Sequence, residues 1–139
     1  MASTNPRVVL TVGCFDPFHV GHLLHLEAAR RFGEILVVGV TMDQFVNKGP
    51  HRPVFREHDR ARVIKALAIV DQVVLVKGSR DALERVKPNV FVLGKEYDGK
   101  MAKADVEFCK EHFVNVAFTN GPVWSSTKLL HHYDRPQQN

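Results

Sequence analysis

Cysteine, tryptophan and tyrosine are scarce in this chain: two, one and two among 139 residues. Two cysteines, Cys14 and Cys109, are too few for a disulfide framework, and no Cys-x-x-Cys pair is present. Both are expected as reduced thiols in a cytosolic protein. Long apolar runs are missing as well. No segment approaches 18 consecutive apolar residues, so no membrane span is expected. Met1 to Pro6 is polar and lacks the basic start and apolar stretch of a signal peptide. Neither a dense basic patch nor an aromatic-basic stripe is present, which argues against nucleic acid as partner. The net charge of +4 is mild and, taken alone, decides nothing about ligands. Hydrophobic residues at 45% and charged residues at 24% are ordinary for one globular domain of this length.

What is present is an alternation of apolar runs and helical patterns. "RVVLTVG" (7–13), "EILVVGV" (34–40), "DQVVLV" (71–76), "NVFVLG" (89–94) and "VNVAF" (114–118) read as strands. Most are apolar throughout, the mark of strands buried on both faces of a parallel sheet. Helical patterns lie between them at 19–32, 56–69, 79–86 and 101–112, with a last one near 125–132. In the first, Val20, Leu24, Ala28 and Phe32 fall on one stripe. The expected fold is a single α/β, Rossmann-like, doubly wound domain with a mainly parallel five-stranded sheet. It is expected over residues 1–133, with a polar, flexible tail at 134–139.

Chemistry concentrates in "TVGCFDPFHVGHLLHLEAARRFG" (11–33). In such sheets ligands bind beyond the carboxyl ends of the strands. The loop from Gly13 to Phe18 leaves the first strand at that edge, and Gly13 permits a tight turn or a close approach. The helix then starts near His19, where free backbone N–H groups and the dipole favour an anion. His19 and His22 are three apart and share a side of the first turn. Gly21 between them has no side chain to block a phosphate. Together they form a cradle for charge developing at phosphorus. Three other readings of the stretch stay open. His19, His22 and His25, with Cys14 and Asp16 nearby, could hold a metal, although no fixed ligand set is evident. The histidines could be incidental to a helix cap. Cys14 could be redox-active, although Cys109 is far away in sequence.

"GCFDPFHVGH" resembles the HxGH signature of the nucleotidyltransferase superfamily, whose members join an NTP to a phosphorylated acceptor with release of pyrophosphate. "RARVI" (60–64) resembles the family's Arg-x-x-x-Ile element, and "VWSSTKLL" (123–130) its Ser-Thr-Thr element. "VFVLGKEYDGK" (90–100) is similar to a strand and loop of glycerol-3-phosphate cytidylyltransferases. "NKGPHRPVF" (47–55) is similar to the Lys-Gly-x-x-Arg-Pro stretch of heptose-phosphate adenylyltransferase domains. The likeness spans about residues 7 to 131. It departs at "NGPV" (120–123), where the cytidylyltransferases carry Arg-Thr-x-Gly, so that Asn120 stands in the arginine's place.

The resemblance implies in-line attack of an acceptor phosphate on the α-phosphorus of the NTP. It implies His19, His22, Lys48 and Arg60 as catalytic residues and Gly13, Cys14, Phe15, Asp16, Gly21, Gly94, Ser125, Ser126 and Thr127 as nucleotide-binding residues. It implies Mg²⁺ held mainly by phosphate oxygens and water, with no protein metal site. ATP with a heptose-phosphate-like acceptor is preferred over CTP with glycerol phosphate, and a non-catalytic nucleotide-binding regulatory module is the rival class. A cytoplasmic homodimer is expected. Lys48, Arg60 and the three hydroxyls could equally be a surface lysine, a helix arginine and a helix cap. "GKEYDGK" (94–100) matches G-x-x-x-x-G-K, but position 101 is Met where a Walker motif needs Ser or Thr.

Overall fold

The computed structural model describes residues 5–121 together with Ser126 and Leu130. Strands β1 (Val8–Gly13), β2 (Ile35–Thr41), β3 (Gln72–Val76), β4 (Val90–Gly94) and β5 (Asn115–Thr119) alternate with helices α1 (Val20–Arg30), α2 (Glu57–Lys65), α3 (Ser79–Val86) and α4 (Lys103–Glu111). All pairings are parallel, in the order β3-β2-β1-β4-β5. The fold is therefore a single α/β domain with a five-stranded, all-parallel sheet of Rossmann-like form.

Strands that are apolar throughout still divide their side chains by period two. Val9, Leu36, Val38, Val40, Val90 and Val92 face one way and pack with Leu26 and Ala29 of α1 and Ile64 of α2. Leu10, Val37 and Phe91 face the other way and pack with Ala82 and Leu83 of α3 and Phe108 and Cys109 of α4. Both faces are covered, which is why no alternation shows in the sequence. The chain winds from β1 outward to β3, then returns to β4 on the other side of β1. The strand order reverses between β1 and β4, and a crevice opens there at the carboxyl ends.

Helix α1 corrects one expectation. The stripe of Val20, Leu24 and Phe32 is 53%, 42% and 39% exposed, while Leu26 and Ala29 are fully buried. Residues four apart advance 40° around a helix, so a stripe drawn at that spacing drifts off the buried face. Short 3₁₀ turns at Asp43–Phe45 and Lys95–Tyr97 follow β2 and β4, where the sequence shows no period. Of the helix expected near 125–132, Ser126 and Leu130 are helical. The rest of it, with the expected tail at 134–139, lies outside the described residues. Among the described residues, no helix is long and apolar enough to cross a membrane.

Candidate active site

A cleft of about 660 Å³ runs along the carboxyl edge of the sheet, from Lys77 and Ser79 after β3 to Thr119 and Gly121 at the end of β5. That volume suits a small-molecule ligand. The middle of its wall is the turn from β1 into α1.

The start of α1 is closed by its own histidines. His19 is the N-cap, with extended backbone angles. Its Nδ1 accepts from the Gly21 N–H at 3.1 Å, and His22 Nδ1 accepts from the His19 N–H at 3.2 Å. This reciprocal cap takes up part of the backbone donors expected to be free at the helix start. The imidazoles stand between the helix end and the cleft. A neutral imidazole that accepts at Nδ1 carries its proton on Nε2. Both rings are therefore Nε2–H donors, and each donor belongs to a chain of hydrogen bonds that begins at the positive end of the helix. The rings stack with centroids 3.8 Å apart.

Burial keeps both rings neutral. It lowers the pKa of His19. It lowers that of His22 to about 3, with further lowering from His19, His25 and Lys48. Two cationic rings at this separation would repel, so donation from neutral rings is the arrangement that the geometry favours. Phe15, in the left-handed region at φ 53°, lies edge-on to His22 with centroids 5.1 Å apart. Its ring also rests on Gly13, where a Cβ would come within 3.0 Å of the ring. Gly13 is thus required by Phe15 packing and does not line the cleft.

Asp16 lines the cleft yet is 1% exposed. Its carboxylate accepts from Arg52 Nε at 3.1 Å and from the N–H groups of Val54 and Phe55 at 2.7 and 2.8 Å. Arg52 also donates to the Asp16 carbonyl at 2.6 Å. Asp16 therefore anchors the far end of the loop that carries Lys48. Arg60 is 3% exposed. It donates to the carbonyls of Phe55 and Cys14 and, at 2.7 Å, to Asp43. Its guanidinium is engaged inside the protein, and Arg60 is absent from the cleft wall, so it holds the β1 and β2 exit loops together.

The other sequence-predicted residues fall as follows. Cys14, Gly21, Lys48, Gly94 and Ser126 join His19 and His22 along the cleft. Lys48 is exposed, just before Gly49 at φ 97°. Ser126 donates to the Pro17 carbonyl at 2.9 Å, tying the last helix to the β1 exit loop. Ser125 and Thr127 lie outside the described residues.

Sequence reasoning missed two residues. Glu96 lines the cleft beside Gly94, its carboxylate filling the space where a Cβ on Gly94 would be. His25, offered by the sequence only as a possible metal ligand, sits between Thr11 of β1 and Thr119 of β5. The signal for His25 was its place three residues after His22, on the same side of α1.

Comparison with known proteins adds family information. A family model described as cytidylyltransferase-like matches residues 10–135. The Bifunctional protein HldE of Koribacter versatilis is 40% identical over 130 residues, covering 89% of this chain and 26% of that protein. The Bifunctional protein HldE of Magnetococcus marinus is 46% identical over 95 residues, covering 66% of this chain and 20% of its own length. The chain thus spans about a quarter or less of these relatives. Among solved structures, a lipopolysaccharide core biosynthesis protein from Thermoplasma volcanium GSS1 matches with TM-score 0.71 and 28% identity, over 86% of this chain and 100% of that one. A bifunctional NMN adenylyltransferase/ADP ribose pyrophosphatase from Francisella tularensis, at 14% identity and TM-score 0.66 over 93% of this chain and 42% of that one, shares the fold.

Proposed function

The chain belongs to the cytidylyltransferase-like family of nucleotidyltransferases, and from that premise we propose that it transfers AMP from ATP to a heptose-phosphate-like sugar, releasing pyrophosphate. The observation that carries this reading is the pair of stacked, neutral imidazoles whose Nδ1 atoms are taken by the helix cap. In this proposal the Nε2–H groups of the two rings are the donors to phosphate oxygens.

In this reaction an acceptor phosphate oxygen forms a bond to the α-phosphorus. The bond from that phosphorus to the bridging oxygen of the β-phosphate breaks, and pyrophosphate leaves with the electron pair. The nucleophile is already ionised, so catalysis is positioning and charge stabilisation. In this proposal His19 and His22 donate to the α- and β-phosphates, and Lys48 adds a positive charge from the loop above. Asp16 and Arg60 are positioning residues that hold that loop. Ser126 is assigned to the triphosphate side, and Gly94 to the nucleoside side. Mg²⁺ is proposed to enter with the triphosphate, held by its oxygens and water. A homodimer and a cytoplasmic location belong to the same proposal.

CTP with glycerol 3-phosphate is the second reading, favoured by the "LGKEYDGK" loop (93–100). The test is pyrophosphate release from ATP or CTP, with Mg²⁺ and either a heptose phosphate or glycerol 3-phosphate. Release from ATP with the heptose phosphate is expected. No release from any combination overturns the assignment.

A further inference from the structure

The cleft has two unlike ends. The β3 end carries Lys77 and Ser79, suited to a phosphorylated acceptor. The β5 end carries Thr11, Thr119 and Gly121, with Gly94 and Glu96 beside them. His25 spans the second end. Its Nε2 lies 2.8 Å from Thr11 Oγ1 and its Nδ1 lies 2.9 Å from Thr119 Oγ1. Thr11 and Thr119 stand on strands separated by β4, so a residue of α1 ties together two strands that do not pair.

We propose that His25 is a positioning residue that sets the hydroxyl of Thr119 as a nucleoside-reading group at the β5 end of the cleft. The inference rests on the nucleotidyltransferase reading above. A neutral imidazole has one donor and one acceptor nitrogen. One threonine hydroxyl must donate to the ring and the other must accept from it. If Thr119 accepts, its own hydroxyl proton faces the cleft. If Thr119 donates, its free lone pairs do. In either tautomer the ring holds the Thr119 hydroxyl in place and commits one of its hydrogen bonds before a ligand arrives, and such prior ordering lowers the cost of binding. Burial keeps the ring neutral by lowering its pKa, against a smaller opposing effect of Glu96. The arrangement also links the helix bearing His19 and His22 to the strand that leads into the last helix.

The experiment is steady-state kinetics on His25→Leu, His25→Gln, Thr119→Val and the His25→Leu/Thr119→Val double variant, with melting temperatures alongside. The wild type must first turn over or bind ATP or CTP. If it does neither, this inference falls together with the function on which it rests. Given an active wild type, His25→Leu is expected to raise KM for the nucleotide roughly tenfold with kcat within threefold, since the phosphate donors remain. Thr119→Val should match it, and the double variant should be no worse than either single one. His25→Gln, which offers one donor and one acceptor, should recover KM to within threefold of wild type. A fall in melting temperature with unchanged KM, or additive losses in the double variant, overturns the proposal while leaving the nucleotidyltransferase reading in place. If His25→Leu does not fold, an unchanged KM in Thr119→Val has the same force.

Discussion

At the scale of single residues, His19 and His22 each do two jobs that one substitution would confound. Each Nδ1 caps the helix, and under the proposed function each Nε2–H donates to phosphate. Alanine removes both functions and costs the helix about 1 kcal/mol as a lost cap. Asparagine is a good N-cap and separates them. His19→Asn is therefore expected to keep the melting temperature near wild type while kcat falls roughly 10²–10³-fold, the size typical of losing one transition-state donor. Turnover within threefold of wild type would remove His19 from the catalytic set. His22 makes a second prediction, about pH. Its pKa is about 3 in the fold and about 6.5 in an unfolded chain. Between those values the unfolded state holds a proton that the native state lacks, so stability rises with pH across the window. The contribution is full above about pH 6.5 and is lost as pH falls towards 3. His19 and His25 act in the same direction. The melting temperature of His22→Asn should fall less steeply than that of wild type between pH 7 and pH 4. Identical slopes would assign the acid sensitivity to other groups.

At the scale of elements, the loop between β2 and α2 is not uniformly held. Its far end is fixed by Asp16, which accepts from Arg52, Val54 and Phe55, and Arg60 grips Phe55 from below. Lys48 and Gly49 stand exposed. Asp16→Asn removes the charge and puts an NH2 donor in place of one acceptor, facing N–H groups that need acceptors, a loss of about 1.5–3 kcal/mol for hydrogen bonds to a charged group. The variant should be cleaved faster by protease between residues 47 and 55 and should show a raised nucleotide KM, with His19 and His22 intact. Unchanged cleavage and KM would mean that the loop is held by something other than Asp16. This network also marks where reading the sequence stops. The five strands are legible because a strand buried on both faces must be apolar throughout. The place of the turn is legible because a loop leaving a central parallel strand must lie at the carboxyl edge, where His19 and His22 line the cleft; that the same rings cap the helix is not legible. Asp16 and Arg60 have the same letters whether they touch a phosphate or hold a loop, and only the distances separate the two. His25 depends on Thr119, 94 positions away, a pairing that no local pattern contains. The buried side of α1 is not legible because that helix faces both the sheet and the cleft, so its apolar stripe does not mark one core.

At the scale of the whole molecule, the topology gives the cleft a direction. Strand order reverses between β1 and β4, and the histidine pair sits at that reversal. Under the proposed function the nucleoside is placed towards β4 and β5, and the choice between ATP and CTP falls to the loops that leave those two strands. The loop after β4 is the one similar to cytidylyltransferases. The loop after β5 has Asn120, exposed at its start, where those enzymes have arginine. A site built to hydrogen-bond one base leaves buried groups unpaired against another. An arginine's donors suit acceptor atoms of a pyrimidine edge, and their absence removes one means of favouring CTP. We therefore expect kcat/KM for ATP to exceed that for CTP by about tenfold, equivalent to about 1.4 kcal/mol. Asn120→Arg should narrow that ratio by improving CTP while leaving the pH dependence of kcat unchanged, because His19 and His22 are untouched. Kinetics of both proteins with both nucleotides measure this directly. A wild-type preference for CTP would sink the adenylyl reading and leave the two-histidine mechanism standing. An unmoved ratio in Asn120→Arg would place base selection in the loop after β4, where Gly94 and Glu96 line the cleft.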